Sequence, residues 1–123
     1  MKRIAINWEL KMKITDIMSE LGLTAISGKG GLQGEAKGGY VSDLLSDVMG
    51  GAGEGQVWIT LQTHQNIIAV ASLKDLAAVI IVKGLVPEND TIEKSDQENI
   101  PVLSTDLDTF TVAGRLFEIM NRK

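Results

Sequence analysis

The run Leu76-Ala77-Ala78-Val79-Ile80-Ile81-Val82 constrains this chain most. It is continuously apolar, rich in β-branched residues and far shorter than the ~18 residues a membrane helix needs. Ala77–Val82 therefore reads as a strand buried on both faces, which requires helices above and below it. Its neighbours supply them. Val57–Leu61 reads as a second strand, Gln65–Lys74 as a helix with Ile67, Ile68, Ala71 and Leu73, and Pro101–Leu103 as a further short strand. Thr109–Asn121 reads as a closing helix whose apolar face carries Phe110, Ala113, Leu116, Phe117 and Met120. Strand and helix in alternation give a single-domain α/β fold, a mostly parallel sheet covered by helices.

The first half is less regular. Thr15–Leu21 reads as a helix with Thr15 as N-cap and Gly22 as its stop, followed by a short strand at Leu23–Ser27. Gly28, Gly30, Gly31 and Gly34 mark turns, and the stretch Gly28–Gly39 is the one irregular segment long enough to serve as a functional loop. Ser42 is placed to cap a helix from Asp43 to Met49. Residues 1–11 read as an extension, with Met12 opening the domain at 12–123. The extension begins like a signal peptide, but Asn7 and Glu9 interrupt its apolar run and no cleavage site follows.

Composition excludes several chemistries. With no cysteine among 123 residues, disulfides, thiolate metal sites and cysteine nucleophiles are impossible, and a cytoplasmic setting is expected. Twelve basic against 16 acidic residues leave a net charge of −4, without the basic footprint of a nucleic-acid binder. The group Lys2, Arg3, Lys11 and Lys13 is too local to change that. The glycines do not form a phosphate cradle: Gly28-Lys29-Gly30 is followed by Gln33 where a third glycine is needed, and no P-loop spacing occurs. The one histidine, His64, has no carboxylate at useful spacing for a metal, and no hydroxyl–histidine–carboxylate set can be assigned. No catalytic residue, metal or cofactor is therefore assigned, and the chain reads as a non-enzyme.

Two polar clusters stand where core strands end. Thr60, Thr63, His64 and Asn66 follow one strand, and Ser104 and Thr105 follow another. Ligands of open α/β sheets collect outside the carboxyl ends of strands. Thr63, His64 and Asn66 can equally serve as helix caps, as can Thr105 or Asp108, so both uses stay open. The acidic stretch Glu88–Glu98 reads as a solvated outer helix, with Asp90 and Glu93 as a capping pair. Asp43 and Asp47 are spaced for a cation but are better explained as surface residues, and Trp58 as sheet packing.

The order of motifs resembles the DRTGG domain family. The resemblance rests on Gly38-Gly39-Tyr40-Val41-Ser42-Asp43-Leu44-Leu45-Ser46-Asp47-Val48-Met49-Gly50, on Thr60-Leu61-Gln62-Thr63-His64-Gln65-Asn66, and on Leu103-Ser104-Thr105-Asp106 with Asp108–Ala113. It covers about Met12 to Met120. The eponymous Asp-Arg-Thr is replaced by Glu35-Ala36-Lys37, and the glycine pair Gly38 and Gly39 remains, joining the candidate ligand residues. The resemblance implies an α/β fold similar to the N-terminal domain of HPr kinase/phosphorylase, without the kinase portion. Such domains occur in some phosphotransacetylases, between CBS domains of some inorganic pyrophosphatases, and alone, as regulatory or assembly modules.

The expected function is thus a non-catalytic regulatory domain that binds a small anionic or nucleotide-like metabolite, the alternative being a structural or dimerisation module without a ligand. A homodimer is expected, since Leu44–Met49 carries more large side chains than one core contact needs, and Met18, Met49 and Met120 suit an adaptable contact. The competing reading puts those residues in the monomer core. An enzyme partner fits a regulatory module; nucleic acid and membrane are not expected.

Overall fold

A computed structural model describes residues 12–122; the extension read at 1–11 lies outside the described residues. The elements run β1 (Met12–Lys13), α1 (Ile14–Leu21), β2 (Thr24–Ser27), a single 3-10 turn at Lys29–Gly31, β3 (Glu35–Ala36), β4 (Gly38–Val41), α2 (Leu45–Gly51), β5 (Gln56–Thr60), α3 (Asn66–Leu73), β6 (Ala78–Ile81), α4 (Asn89–Glu98), β7 (Val102–Ser104) and α5 (Thr109–Met120).

Five strands form the main sheet in the order β2-β7-β6-β5-β4, and β1 pairs with β3 in a separate two-stranded ladder. Strands β4 to β7 are mutually parallel, while β2 pairs antiparallel with β7 at the edge. The apolar run is central: every residue of β6 is buried, as its lack of alternation requires. Alternate side chains feed two cores. Val57, Ile59, Ala78, Ile80 and Leu103 pack under α1 and α5. Trp58, Val79, Ile81 and Val102 pack under α2 and α3, with Trp58 fully buried in the sheet-packing role expected of it.

Several local expectations need correction. The N-cap position of α1 is Lys13, whose N–H donates to Asp16 Oδ2 at 2.9 Å, and Thr15 lies inside the helix. The glycine pair opens a strand, β4, because pairing with β5 outweighs the poor strand propensity of glycine. Helix α2 starts two residues later than expected. Ser42 Oγ accepts the Leu44 N–H at 3.1 Å, and Asp43 is held out of the helix by bonds to β5. On α5 the buried stripe is Val112, Leu116 and Ile119, spaced i, i+4, i+7; Phe110 and Phe117 point outward at 89% and 70% exposure.

Helix α4 has little apolar surface and docks through hydroxyls. Thr91 Oγ1 donates to the Thr63 carbonyl at 2.7 Å, Ser95 Oγ to the Ile100 carbonyl at 2.6 Å, and Ser27 Oγ to Ser95 Oγ at 2.9 Å. Buried polar groups persist when partnered in this way. Its N-cap is Glu88, so Asp90 and Glu93 form no capping pair.

The glycine-rich stretch is packed. Gly28 has φ of +67°, and its N–H donates to Asp96 Oδ1 at 2.8 Å. A Cβ there would overlap the Ile100 carbonyl, and one at Gly31 would overlap the Asn99 carbonyl. Glycine is needed so that this turn can lie against the α4–β7 corner. No helix among the described residues is long and apolar enough to cross a membrane.

Candidate functional site

Because β5, β6 and β7 run parallel, the loops after Thr60, Ile81 and Ser104 share one edge of the sheet. The two polar clusters do reach that edge, but the β6–α4 connection lies between them, and their hydrogen bonding differs.

The β5 cluster holds the fold together. Thr60 is fully buried; its Oγ1 donates to Asp43 Oδ1 at 3.0 Å and accepts the Gln62 N–H at 3.1 Å. The same Asp43 oxygen accepts the Leu61 N–H at 2.9 Å, and Gln62 Nε2 donates to the Asp43 carbonyl at 2.8 Å. Asp43 thus ties the end of β4 to the end of β5. Thr63 is not an N-cap, since the cap position of α3 is Gln65; its carbonyl instead accepts from Thr91 and from the Glu88 N–H at 3.1 Å. Exposed His64 does the capping: Nδ1 accepts the Asn66 N–H at 3.1 Å. That bond requires a bare Nδ1, so the neutral ring carries its proton on Nε2. Asn66 is exposed in the first turn of α3.

The β7 cluster opens onto space. Ser104 and Thr105 line a cleft of about 440 Å³ together with Thr24 and Ile26 of β2, the Gly84–Pro87 segment, Asp106, Leu107 and Arg115 of α5. Its wall is built by cross-bonds. The Lys83 N–H donates to the Leu107 carbonyl, and the Gly84 N–H to the Thr105 carbonyl, each at 2.9 Å, while Thr105 Oγ1 accepts the Leu107 N–H at 3.1 Å. Lys83 and Gly84 adopt left-handed φ of 62° and 69°, which folds the β6 loop back over β7. Leu85 and Val86 remain exposed on the rim, at 39% and 76%. Arg115 joins none of the ion pairs among the described residues.

Asp108 caps α5 by accepting the Thr111 N–H at 2.8 Å, one of the two caps anticipated for this helix. That bond to Thr111 holds the carboxyl below its ordinary range, and the nearby Lys83 ammonium adds to the effect. Across the sheet, Tyr40 donates its hydroxyl to Asp47 Oδ2 at 3.0 Å, and this bond to a carboxylate pushes the phenol upward. No cluster of metal-ligating side chains occurs among the described residues.

The sequence-derived set is therefore divided. Only Ser104 and Thr105 line the cleft; Thr60, Thr63, His64 and Asn66 belong to the β5 loop, and Gly38 and Gly39 lie at the opposite end of the sheet in a groove beside α5. Thr24, Arg115 and the Gly84–Pro87 segment were missed. Lys83-Gly84, directly after the apolar run, was the one available signal. Arg115 gives none, because its place depends on how α5 is rotated.

Comparison with known proteins agrees with this architecture. A solved structure of the CBS and DRTGG domains of the regulatory region of a Clostridium perfringens pyrophosphatase, complexed with its activator diadenosine tetraphosphate, superposes with a TM-score of 0.66 at 23% identity. The match covers 85% of this chain and 45% of that one. No curated protein sequence matches at a significant level. The DRTGG domain model matches residues 16–119, and with most of its length so covered, the chain belongs to the DRTGG domain family.

Proposed function

We propose that this domain is a non-catalytic regulatory module that binds a small anionic, nucleotide-like metabolite in the cleft at the carboxyl edge of β6 and β7. The observation that carries the reading is the make-up of that cleft. Arg115, Ser104, Thr105 and Thr24 offer a cation and hydroxyls, opposite an apolar shelf of Leu85, Val86 and Pro87. A phosphorylated ligand with a flat base can use both sides, charge-assisted hydrogen bonds on one and apolar burial on the other. The pyrophosphatase region of like fold, crystallised with a nucleotide activator, supports this ligand class. Asp106 on the same rim disfavours an anion at its own end and so favours seating the phosphate toward Arg115.

A thermal-shift panel of nucleotides and phosphorylated metabolites tests the proposal. A ligand at 100 times its Kd adds about 2.7 kcal/mol, roughly 10 °C in Tm for a domain of this size. Arg115→Ala should abolish the shift. A flat response across a broad panel would overturn the reading.

A second reading rests on different residues. Leu44 and Met49 stand outward at the start and end of α2, exposed by 67% and 37%, while Val48 alone of that helix is buried. This surface suits a homodimer contact, in keeping with an assembly module. Met18 and Met120 pack partly against the core and leave less to offer such a contact.

A further inference from the structure

Helix α5 has two apolar faces. Val112, Leu116 and Ile119 turn to the sheet, while Phe110 and Phe117 turn away from it, at 89% and 70% exposure. Seven residues apart, the two phenyl groups lie within ~20° of each other around the helix and ~10.5 Å apart along it. Between them on the same face stand half-buried Ala113 and exposed Gly114, and exposed Asn121 continues the line one turn on. This stripe carries no charge, in a chain whose net charge is −4.

The glycine at its centre is informative. Gly114 weakens a helix interior, and it is not among the glycines with positive φ. A Cβ there would meet no atom of the described residues within 4 Å. Nothing among the described residues therefore requires a residue without a side chain at this position. What glycine permits is the close approach of another backbone.

The order of residues fits one particular partner. Phe110-Thr111-Val112-Ala113 and Gly114-Arg115-Leu116-Phe117 place a phenyl group and a small residue symmetrically about the Ala113–Gly114 midpoint. A two-fold axis through that midpoint sets a second copy of α5 antiparallel to the first. Phe110 of the partner subunit then faces Phe117, and small residues meet at the crossing. An isologous contact needs a patch complementary to itself in this way. Glu118 flanks the stripe, but its two copies would stand ~13 Å apart along the pair, beyond a Debye length at physiological salt.

The surface that would receive the partner's ring is present. On the β4 side of α5 lies an apolar groove of about 410 Å³, whose lining includes Val41, Ala113, Phe117 and Met120. Along α5 this groove is centred level with Phe117, where the two-fold puts Phe110 of the partner subunit. Four phenyl groups as exposed as these offer on the order of 600 Å², over a third of the ~1,600 Å² buried in a standard interface. Val41, at 49% exposure, and the groove walls add to it. We propose that a second copy of this chain packs antiparallel on the Phe110–Phe117 face of α5, each Phe110 seated in the groove of the other copy. The inference rests on the assembly reading above but assigns the contact to α5 in place of α2.

Light scattering of the full chain should give twice the 13.3 kDa of one copy. Phe110→Asp and Phe117→Asp should each give a monomer with unchanged circular dichroism, whereas Met49→Asp on α2 should stay dimeric. The absence of native cysteine lets oxidation read the pairing geometry. An equimolar mixture of Phe110→Cys and Phe117→Cys chains should form a bridge between chains. Phe110→Cys alone should not, since its two copies would stand ~10.5 Å apart along the pair, beyond disulfide reach. If an aspartate variant fails to fold, the cross-linking decides. A monomeric unmodified chain at micromolar concentration, leaving the face to residues 1–11 or to another protein, would overturn the proposal. Dimers that survive both aspartates, dimers lost with Met49→Asp, or bridging of Phe110→Cys alone would do the same. None of these variants alters a cleft residue, so a flat nucleotide panel bears on the ligand reading alone.

Discussion

Replacing Thr60 by Val separates a fold-stabilising role from a ligand role at the β5 loop. Valine keeps the shape of a fully buried side chain and deletes only the hydroxyl. Two bonds go with it: the 3.0 Å donation to Asp43 Oδ1 and the 3.1 Å acceptance from the Gln62 N–H. A hydrogen bond to a charged group contributes ~1.5–3 kcal/mol and a neutral one ~0.5–1.5 kcal/mol. Asp43 is exposed and keeps the Leu61 N–H, so water replaces part of what it loses, and the added methyl recovers up to ~0.8 kcal/mol by burial. The net expectation is a loss of about 2 kcal/mol, or 6–10 °C in Tm at ~3–5 °C per kcal/mol. Urea unfolding followed by Trp58 reports it, since the indole N–H donates to the Ser42 carbonyl at 2.7 Å beside this loop. Pairing with Asp43→Asn in a double-mutant cycle should give coupling of about 1 kcal/mol. Destabilisation below ~0.5 kcal/mol, or an intact fold with lost nucleotide affinity, would refute the assignment of Thr60 to structure.

Gly28→Ala should destabilise by at least ~3 kcal/mol, as left-handed strain of ~1–2 kcal/mol adds to overlap with the Ile100 carbonyl; a normal Tm would contradict the close packing of this turn. Asp108 titrates lower in the folded chain than its ordinary 3.8, so the stability it contributes is complete above that value and declines as pH falls through the depressed one. Urea midpoints between pH 6 and 3 should show this acid limb, flattened in Asp108→Ala; an unchanged limb contradicts the cap. If α2 forms a dimer contact, Met49→Asp should give a folded monomer by light scattering, and a monomeric unmodified chain at micromolar concentration would refute that contact.

The sheet was legible because its core strands are written in an unambiguous code. Ala77–Val82 could only be buried on both faces, and the parallel order followed from alternation with helices. Strand β4 was not legible: Gly38-Gly39 carries no strand signal, and the ladder to β5 creates the element. The aromatic residues of α5 misled for a related reason. Phe110 and Phe117 are the largest apolar side chains there, yet the stripe of Val112, Leu116 and Ile119 sets the rotation that faces the sheet. Of the eight candidate residues named from the sequence, two, Ser104 and Thr105, line the cleft at the carboxyl edge of the sheet. Helix-capping chemistry and ligand-binding chemistry use the same side chains, so the sequence left both uses open for His64, whose Nδ1 accepts the Asn66 N–H in the structure. Arg115 was invisible because cleft residues drawn from β2, β6, β7 and α5 meet only in three dimensions.

The ligand is proposed to enter the β6–β7 cleft and not the β5 loop. Amide chemical-shift mapping of the full chain, titrated with diadenosine tetraphosphate and with mononucleotides, tests this proposal most directly. Saturable shifts are expected at Thr24, Gly84, Ser104, Thr105 and Arg115, absent in Arg115→Ala. Shifts confined to Thr63, His64 and Asn66, with the cleft silent, would contradict the proposal.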